Sequence, residues 1–239
     1  MDKGGLGRSC LAAVLGSLLL LVLYGESPGA DAAAAMSAAG WKEQVHGRWG
    51  SRPDRKVEVG DKGLAGEFVI PPGGALSWEK RGPFDLDAGS MLAFEFSSDA
   101  TNPSSEDYKE FEARFPVSVT VVFGKDSQDI PWKSRAVDLS LKVWKGFPPG
   151  GIRIVYAYGN KAPVGSMYRT AEEEAVFILA GEDEKGKTIK AARNLKTDFF
   201  AAFGRLPKGP VTGIIVNAER PSKERGKLTG RFAIALPAP

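Results

Sequence analysis

Residues 152–158 read Ile152-Arg153-Ile154-Val155-Tyr156-Ala157-Tyr158, and this run decides between a helical and a sheet protein. Ile152, Ile154 and Tyr156 occupy alternate positions and share one face of an extended chain, with Val155 on the other. Working outward, runs of the same β type recur at Lys56–Val59, Leu64–Ile70, Ala75–Lys80, Met91–Phe96, Val117–Phe123, Ala175–Ala180, Val211–Val216 and Arg231–Leu236. Turn clusters separate them, as Pro71-Pro72-Gly73-Gly74 does after Ile70. Two stretches follow helical spacing instead. Val137, Leu141 and Trp144 follow Ser134, and Leu195, Phe199, Ala202 and Phe203 run between Asn194, a candidate N-cap, and Gly204, where a helix would stop. Many short strands with one or two short helices predict a mainly β fold. The expected architecture is an antiparallel β-sandwich, jelly-roll or galactose-binding-like, formed by one domain over residues 41–239.

Composition agrees. The chain has 239 residues, of which 43% are hydrophobic and 26% charged, enough for a sizeable core and too apolar for disorder. A net charge of +3, with no block of consecutive basic residues, argues against a nucleic-acid partner. At the N-terminus, Lys3 and Arg8 precede an apolar run from Leu11 to Tyr24, shorter than the roughly 20 residues of a bilayer span. Ala30-Asp31-Ala32 has the form of a cleavage site, so residues 1–32 read as a signal peptide cut near Ala32; an uncleaved anchor is the alternative. Membrane contact is expected only through that segment. Residues 33–40 are small and without apolar periodicity, and read as a flexible linker. Cys10 precedes the apolar run, which excludes a lipobox, and leaves with the signal, so the exported remainder carries no thiol or disulfide. The expected location is the periplasm or exterior of a bacterium.

Few residues offer chemistry. His46 is the single histidine, which excludes a histidine metal cluster and leaves it as the sole base for any Ser-His pair. Between Gln44 and Gly47 it reads as a local polar contact. No G-x-S-x-G occurs. Gly60, Gly63 and Gly66 suggest a phosphate loop, but the strand-like Glu67–Ile70 follows where a helix is required, so they read as a hairpin turn. Asp85-Leu86-Asp87 opens like a calcium loop, yet Phe96 stands where an EF-hand needs a glutamate. The acidic groups Glu106-Asp107, Glu172-Glu173-Glu174 and Glu182-Asp183-Glu184 lie in polar runs that read as solvated, without the environment a general acid requires. Neither a cofactor nor a metal is expected. Trp49, Trp78 and Trp132 stand among charged or turn residues, where rings either stack on a sugar or peptide or cover the ends of the core.

Several short segments of the second half form a pattern: Val121-Val122-Phe123-Gly124, Tyr156-Ala157-Tyr158, Asn160, Pro163-Val164-Gly165-Ser166, Tyr168, Arg193-Asn194-Leu195, Asp198-Phe199 and Phe203-Gly204. In these the chain resembles, over residues 115–236, a family of secreted bacterial proteins known only as a domain of unknown function, DUF3047. The resemblance implies export and a β-rich fold, and it implies no reaction. The chain departs from the family at Asn217-Ala218-Glu219-Arg220, where relatives carry an aspartate-rich turn, and at Phe94-Glu95-Phe96, which replaces a tryptophan-rich strand. Pro163 and Gly165 would fix a sharp loop that displays Asn160, Ser166 and Tyr168, for loop bonding or ligand contact. Arg193 would pair with Asp198 across the helix start, or hold an acidic ligand.

The expectation is a non-catalytic ligand-binding sandwich for a carbohydrate or envelope component, with Trp132, Tyr158, Asn160, Ser166, Tyr168 and Arg193 as candidate contacts. The alternatives are a carboxylate-dependent glycan hydrolase and a structural module that recognises another envelope protein.

Overall fold

A computed structural model describes residues 29–47, 52–60, 63–87, 89–108, 113–124 and 151–236. Residues 1–28 of the signal peptide expected over 1–32, Trp49, Trp132 and the helix expected around Val137–Trp144 lie outside the described residues. In chain order the elements are α1 (Gly29–Ala38), β1 (Trp41–His46), β2 (Asp54–Gly60), β3 (Gly63–Ile70), β4 (Gly74–Phe84), β5 (Met91–Ser98), β6 (Val117–Gly124), β7 (Gly151–Tyr158), β8 (Met167–Ala171), β9 (Glu174–Ala180), β10 (Ile189–Asn194), α2 (Leu195–Phe203), β11 (Val211–Arg220) and β12 (Leu228–Ala235).

The strands form two sheets, one ordered β1-β4-β11-β6-β7-β9-β8 and one ordered β10-β5-β12-β3-β2. Among the described residues every pairing is antiparallel except β7 with β9. That exception has a topological cause. After β7 the chain crosses to the sheet edge as β8, then turns back through residues 172–173 and inserts β9 between the two.

One core fills the space between the sheets. Phe94 and Phe96 of β5 meet Tyr156 and Tyr158 of β7 at ring separations of 5.4 and 6.3 Å, and Trp78 of β4 lies 4.6 Å from Phe232 of β12. Each such burial contributes about 1.5–3 kcal/mol. The fold is therefore the antiparallel-dominated β-sandwich that the alternation at Ile152–Tyr158 predicts. Strand β7 goes further than its pattern suggests, because Val155 and Ala157 on its other face join Ala162, Val176 and Ile178 in a second apolar cluster. The loop after β7 and edge strand β8 supply the cover, with Tyr168 packed against it.

Helix α2 forms where its spacing predicts it. The Asn194 side chain accepts from the Thr197 backbone N–H at 3.1 Å, and Gly204 closes the helix at φ 68°, a left-handed conformation natural to glycine. Gly60 pairs with Gly63 across the β2–β3 hairpin, so the glycines form a turn and no phosphate loop. The segment expected to be a linker differs: it is helical to Ala38, and Met36 is buried in the core. Poly-alanine lacks apolar periodicity yet has the highest helix propensity, so periodicity alone missed it.

Candidate ligand-binding face

The loop that the sequence singles out is occupied by its own structure. Asp107 is 1% exposed and is met by the chain that follows β7. Its Oδ2 accepts the backbone N–H groups of Asn160, Lys161 and Ala162 at 2.8, 2.7 and 2.9 Å, and its Oδ1 accepts from Asn160 Nδ2 at 2.6 Å. Successive N–H groups of this kind make an anion-holding concavity, here filled by a side chain of the protein itself. Asp107 thus corrects the reading of Glu106-Asp107 as solvated.

The network extends inward. Asn160 Oδ1 accepts from the Asn102 N–H at 2.7 Å, and the Asn102 amide donates to the Arg114 and Glu219 carbonyls. Arg220 donates to Asn102 Oδ1 at 3.0 Å and to the carbonyls of Thr101 and Arg225. Tyr168 donates to the Asp107 carbonyl at 2.8 Å and Ser166 to the Pro163 carbonyl at 2.6 Å. Of the two roles open to Asn160 and Ser166, loop bonding is the one their contacts show.

Tyr158 is fully buried, its ring against Phe96, and presents no face to solvent. Burial, with Glu184, Glu182 and Asp99 nearby, pushes its phenol far above the ordinary tyrosine range. Trp78 is likewise a core residue, donating from Nε1 to Glu43 at 2.9 Å. Arg193 takes the staple role: its Nε and Nη2 donate to Asp198 at 2.8 and 2.6 Å, and its guanidinium lies over the Tyr156 and Phe177 rings. Tyr156 donates to the same carboxylate at 2.7 Å. His46 stands 3.4 Å from Gln44, the local contact expected of it. The Asp87 N–H donates to Asp85 Oδ1, and among the described residues no cluster of three metal-ligating side chains occurs.

Open polar surface lies elsewhere, on the outer face of the five-stranded sheet. Two cavities of about 560 and 330 Å³ follow one another along it and share Lys56, Glu67 and Arg231. Strand alternation builds this face: Leu64, Phe68, Phe94, Phe96, Phe232 and Ile234 point into the core, so their neighbours point out. Register then sets the outward side chains in rows. Lys56 lies opposite Glu67, Glu67 opposite Arg231 and Arg231 opposite Ser97. In the next row Glu58 lies opposite Ala65, Ala65 opposite Ala233, Ala233 opposite Glu95 and Glu95 opposite Lys190. Rows two residues apart are about 7 Å apart along the strands. The result is a trough floored by the two alanines and walled by long charged side chains.

Those walls are open to bonding. Among the described residues, the side chains of Lys56, Glu58 and Glu67 make no hydrogen bond or ion pair, although cations stand directly across the strands from Glu67. Arg231 donates to Thr188 Oγ1 at 2.7 Å. Lys190 Nζ stands 3.8 Å from Glu95 Oε2, beyond hydrogen-bond range. Three cations (Lys56, Lys190, Arg231) and three carboxylates (Glu58, Glu67, Glu95) line the smaller cavity. The sequence reading missed this face because an outward Lys or Glu on a strand reads the same whether it faces bulk water or a ligand.

Fold and face together define a β-sandwich with a polar trough on one sheet. The chain belongs to the family described as "Protein of unknown function (DUF3047)", whose profile matches residues 73–222. No curated protein matches it. Among solved structures, the enzymatically active domain of bacteriophage CBA120 tailspike protein 4 is similar at 13% identity and a TM-score of 0.35, over 83% of this chain and 19% of that one. The chain thus spans about a fifth of that protein's length. The family 11 carbohydrate-binding module of Lic26A-Cel5E from Clostridium thermocellum aligns at 12% identity and a TM-score of 0.32, over 83% of this chain and 88% of that one. The catalytic domain of Humicola grisea Cel12A aligns at 11% identity and a TM-score of 0.40, over 82% and 91%.

Proposed function

We propose that this is an exported bacterial envelope protein that binds a neutral glycan, without cleaving it, in the trough on the outer face of the five-stranded sheet. One contrast carries the reading. At the loop ends Asn102, Asp107, Asn160 and Arg220 are bonded to one another or to main chain, whereas Lys56, Glu58 and Glu67 in the trough are unbonded among the described residues. Sugar hydroxyls both donate and accept, and a wall that alternates ammonium or guanidinium donors with carboxylate acceptors matches them. Equal numbers of cations and carboxylates around the smaller cavity leave no net field to select a polyanion or polycation. The volumes fall in the range of small-ligand sites, and the alanine floor leaves room for a ring. Export is supported by the apolar run Leu11–Tyr24 and the A-x-A pattern at Ala30–Ala32.

Affinity electrophoresis of the exported chain through gels holding a neutral β-glucan, a neutral α-glucan or alginate tests this directly. The expected result is retardation by a neutral polymer, little by alginate, no release of reducing ends, and weaker retardation of Arg231→Ala. Retardation by alginate alone would overturn the ligand class, and reducing ends released in a carboxylate-dependent way would overturn the non-catalytic reading. Cell fractionation tests export: an intact N-terminus in the cytoplasm would refute it.

A further inference from the structure

We infer that Glu95, beside Lys190 in the trough, is its anchoring acceptor and receives a hydroxyl of the bound glycan jointly with Lys190. The inference rests on the glycan-binding reading of the trough and assigns that site its key contact. Glu95 sits mid-strand on β5, 9% exposed, between Ala233 on one neighbouring strand and Lys190 on the other. Its side chain lines the smaller cavity. Among the described residues nothing donates a hydrogen bond to this carboxylate, and its Oε2 atom is shut from solvent.

Oε2 has given up water without receiving a hydrogen bond, which is costly even with an ammonium in ion-pair range. The other buried carboxylates among the described residues all accept hydrogen bonds: Asp107 four, Asp198 three, and Glu79 one, from Arg81 at 2.6 Å. The ammonium of Lys190, which could satisfy Glu95, stands 3.8 Å off on a side chain that is 51% exposed and free to swing. A gap of that size is too wide for a direct hydrogen bond, and a small outward swing of Lys190, to about 4.5 Å, both uncovers Oε2 and admits one bridging oxygen. A hydroxyl about 2.8 Å from each group would donate to Glu95 and accept from Lys190. Glu95 thus resembles a binding group kept under-bonded at a cost to stability, as sites selected for function often are.

Glu95→Gln separates this role from a structural one. Removing an under-bonded charge raises the melting temperature by about 2–4 °C, while replacing a charged acceptor by an amide weakens ligand binding by about tenfold or more. Thermal unfolding and isothermal titration with cellotetraose, maltotetraose and chitotetraose as neutral probes read both changes. Lys190→Met, at an exposed position that leaves folding intact, is expected to weaken binding several-fold. Opposite signs in stability and affinity support the assignment. A destabilised Glu95→Gln, or Glu95→Gln and Lys190→Met variants that bind a neutral probe as the native protein does, would overturn it and leave the trough reading standing. Failure of the native protein itself to bind any neutral probe marks the distinct failure of the glycan reading.

Discussion

Replacing Asp107 by alanine tests whether the loop after β7 is architecture or a ligand site. The substitution strips the acceptor from four donors at once: the backbone N–H groups of Asn160, Lys161 and Ala162 and the Asn160 side-chain amide. A hydrogen bond to a charged group contributes about 1.5–3 kcal/mol net. Four such bonds do not add, because a freed loop relaxes and water reaches Lys161, which is exposed. We expect a loss of about 3–5 kcal/mol, half of the simple sum or less. With a urea slope of about 2–3 kcal/mol/M, the upper part of the usual range, the midpoint falls by about 1–2.5 M. Hydrogen exchange at residues 160–162 should accelerate sharply in the native state, since these amides lose their partner. Asp107→Asn is the graded control: its carbonyl can keep the three backbone donors, but its amide then faces the Asn160 amide, donor against donor, for a loss of about 1–3 kcal/mol. A loss below about 1 kcal/mol for Asp107→Ala, with exchange at 160–162 unchanged, would refute the reasoning and return the loop to the list of ligand contacts.

Two further outcomes follow from buried groups. The phenols of Tyr156, Tyr158 and Tyr168 are all held above the ordinary tyrosine value of 10.0, first by burial and then by neighbouring carboxylates (with the Tyr108 hydroxyl a further contributor at Tyr168). A group whose folded value is raised contributes stability that is complete below the unfolded value and lost as pH rises through the folded one. Urea midpoints should therefore hold up to about pH 10 and fall steeply above it, with Tyr158→Phe flattening the fall; an unchanged slope in that variant would sink the assignment. Asp198→Ala leaves the Arg193 guanidinium against the Tyr156 and Phe177 rings without its carboxylate, and leaves the Tyr156 hydroxyl without its acceptor. Because Arg193 is partly exposed, we expect about 2–4 kcal/mol rather than the full cost of a buried orphan charge; a loss within 0.5 kcal/mol of zero, using that figure as a rough surface baseline, would contradict it.

The strands with strong alternation were legible from sequence, and so was α2, because its cap residues and apolar spacing agree. The three strands that sequence reading missed are β1, β8 and β10, and each lies at a sheet edge. Trp41-Lys42-Glu43-Gln44-Val45-His46, Met167-Tyr168-Arg169-Thr170-Ala171 and Ile189-Lys190-Ala191-Ala192-Arg193-Asn194 are half-polar, as edges that must resist further pairing tend to be. A weak alternation signal is what an edge produces. The Arg193–Asp198 pair was legible for the opposite reason: five residues separate the two side chains, so one strand-to-helix turn fixes them. Asp107 with Asn160 was not, since 53 residues separate them and only the folded sandwich brings them together.

The same physics explains why the functional expectation moved from the loops to the sheet. Within a strand the ladder satisfies the backbone, so outward side chains owe it nothing. Where a strand ends, the ladder stops while the backbone groups remain, and polar side chains nearby are drawn into satisfying them. Asn102, Asp107, Asn160 and Arg220 are of this kind, each bonded to main-chain atoms of a different segment. An Asn-Pro-Gly-Ser composition that looks like a binding loop is thus equally the composition of a well-tied corner. On the five-stranded sheet Lys56, Glu58, Glu67 and Glu95 carry no such duty. Substitutions in the corner should then act on stability with little separate effect on binding, and those on the sheet face should act on binding with little or opposite effect on stability. Measuring both quantities on Asp107→Asn and Glu95→Gln side by side decides the point, because a shared loss of both in each variant would leave no division of labour to explain.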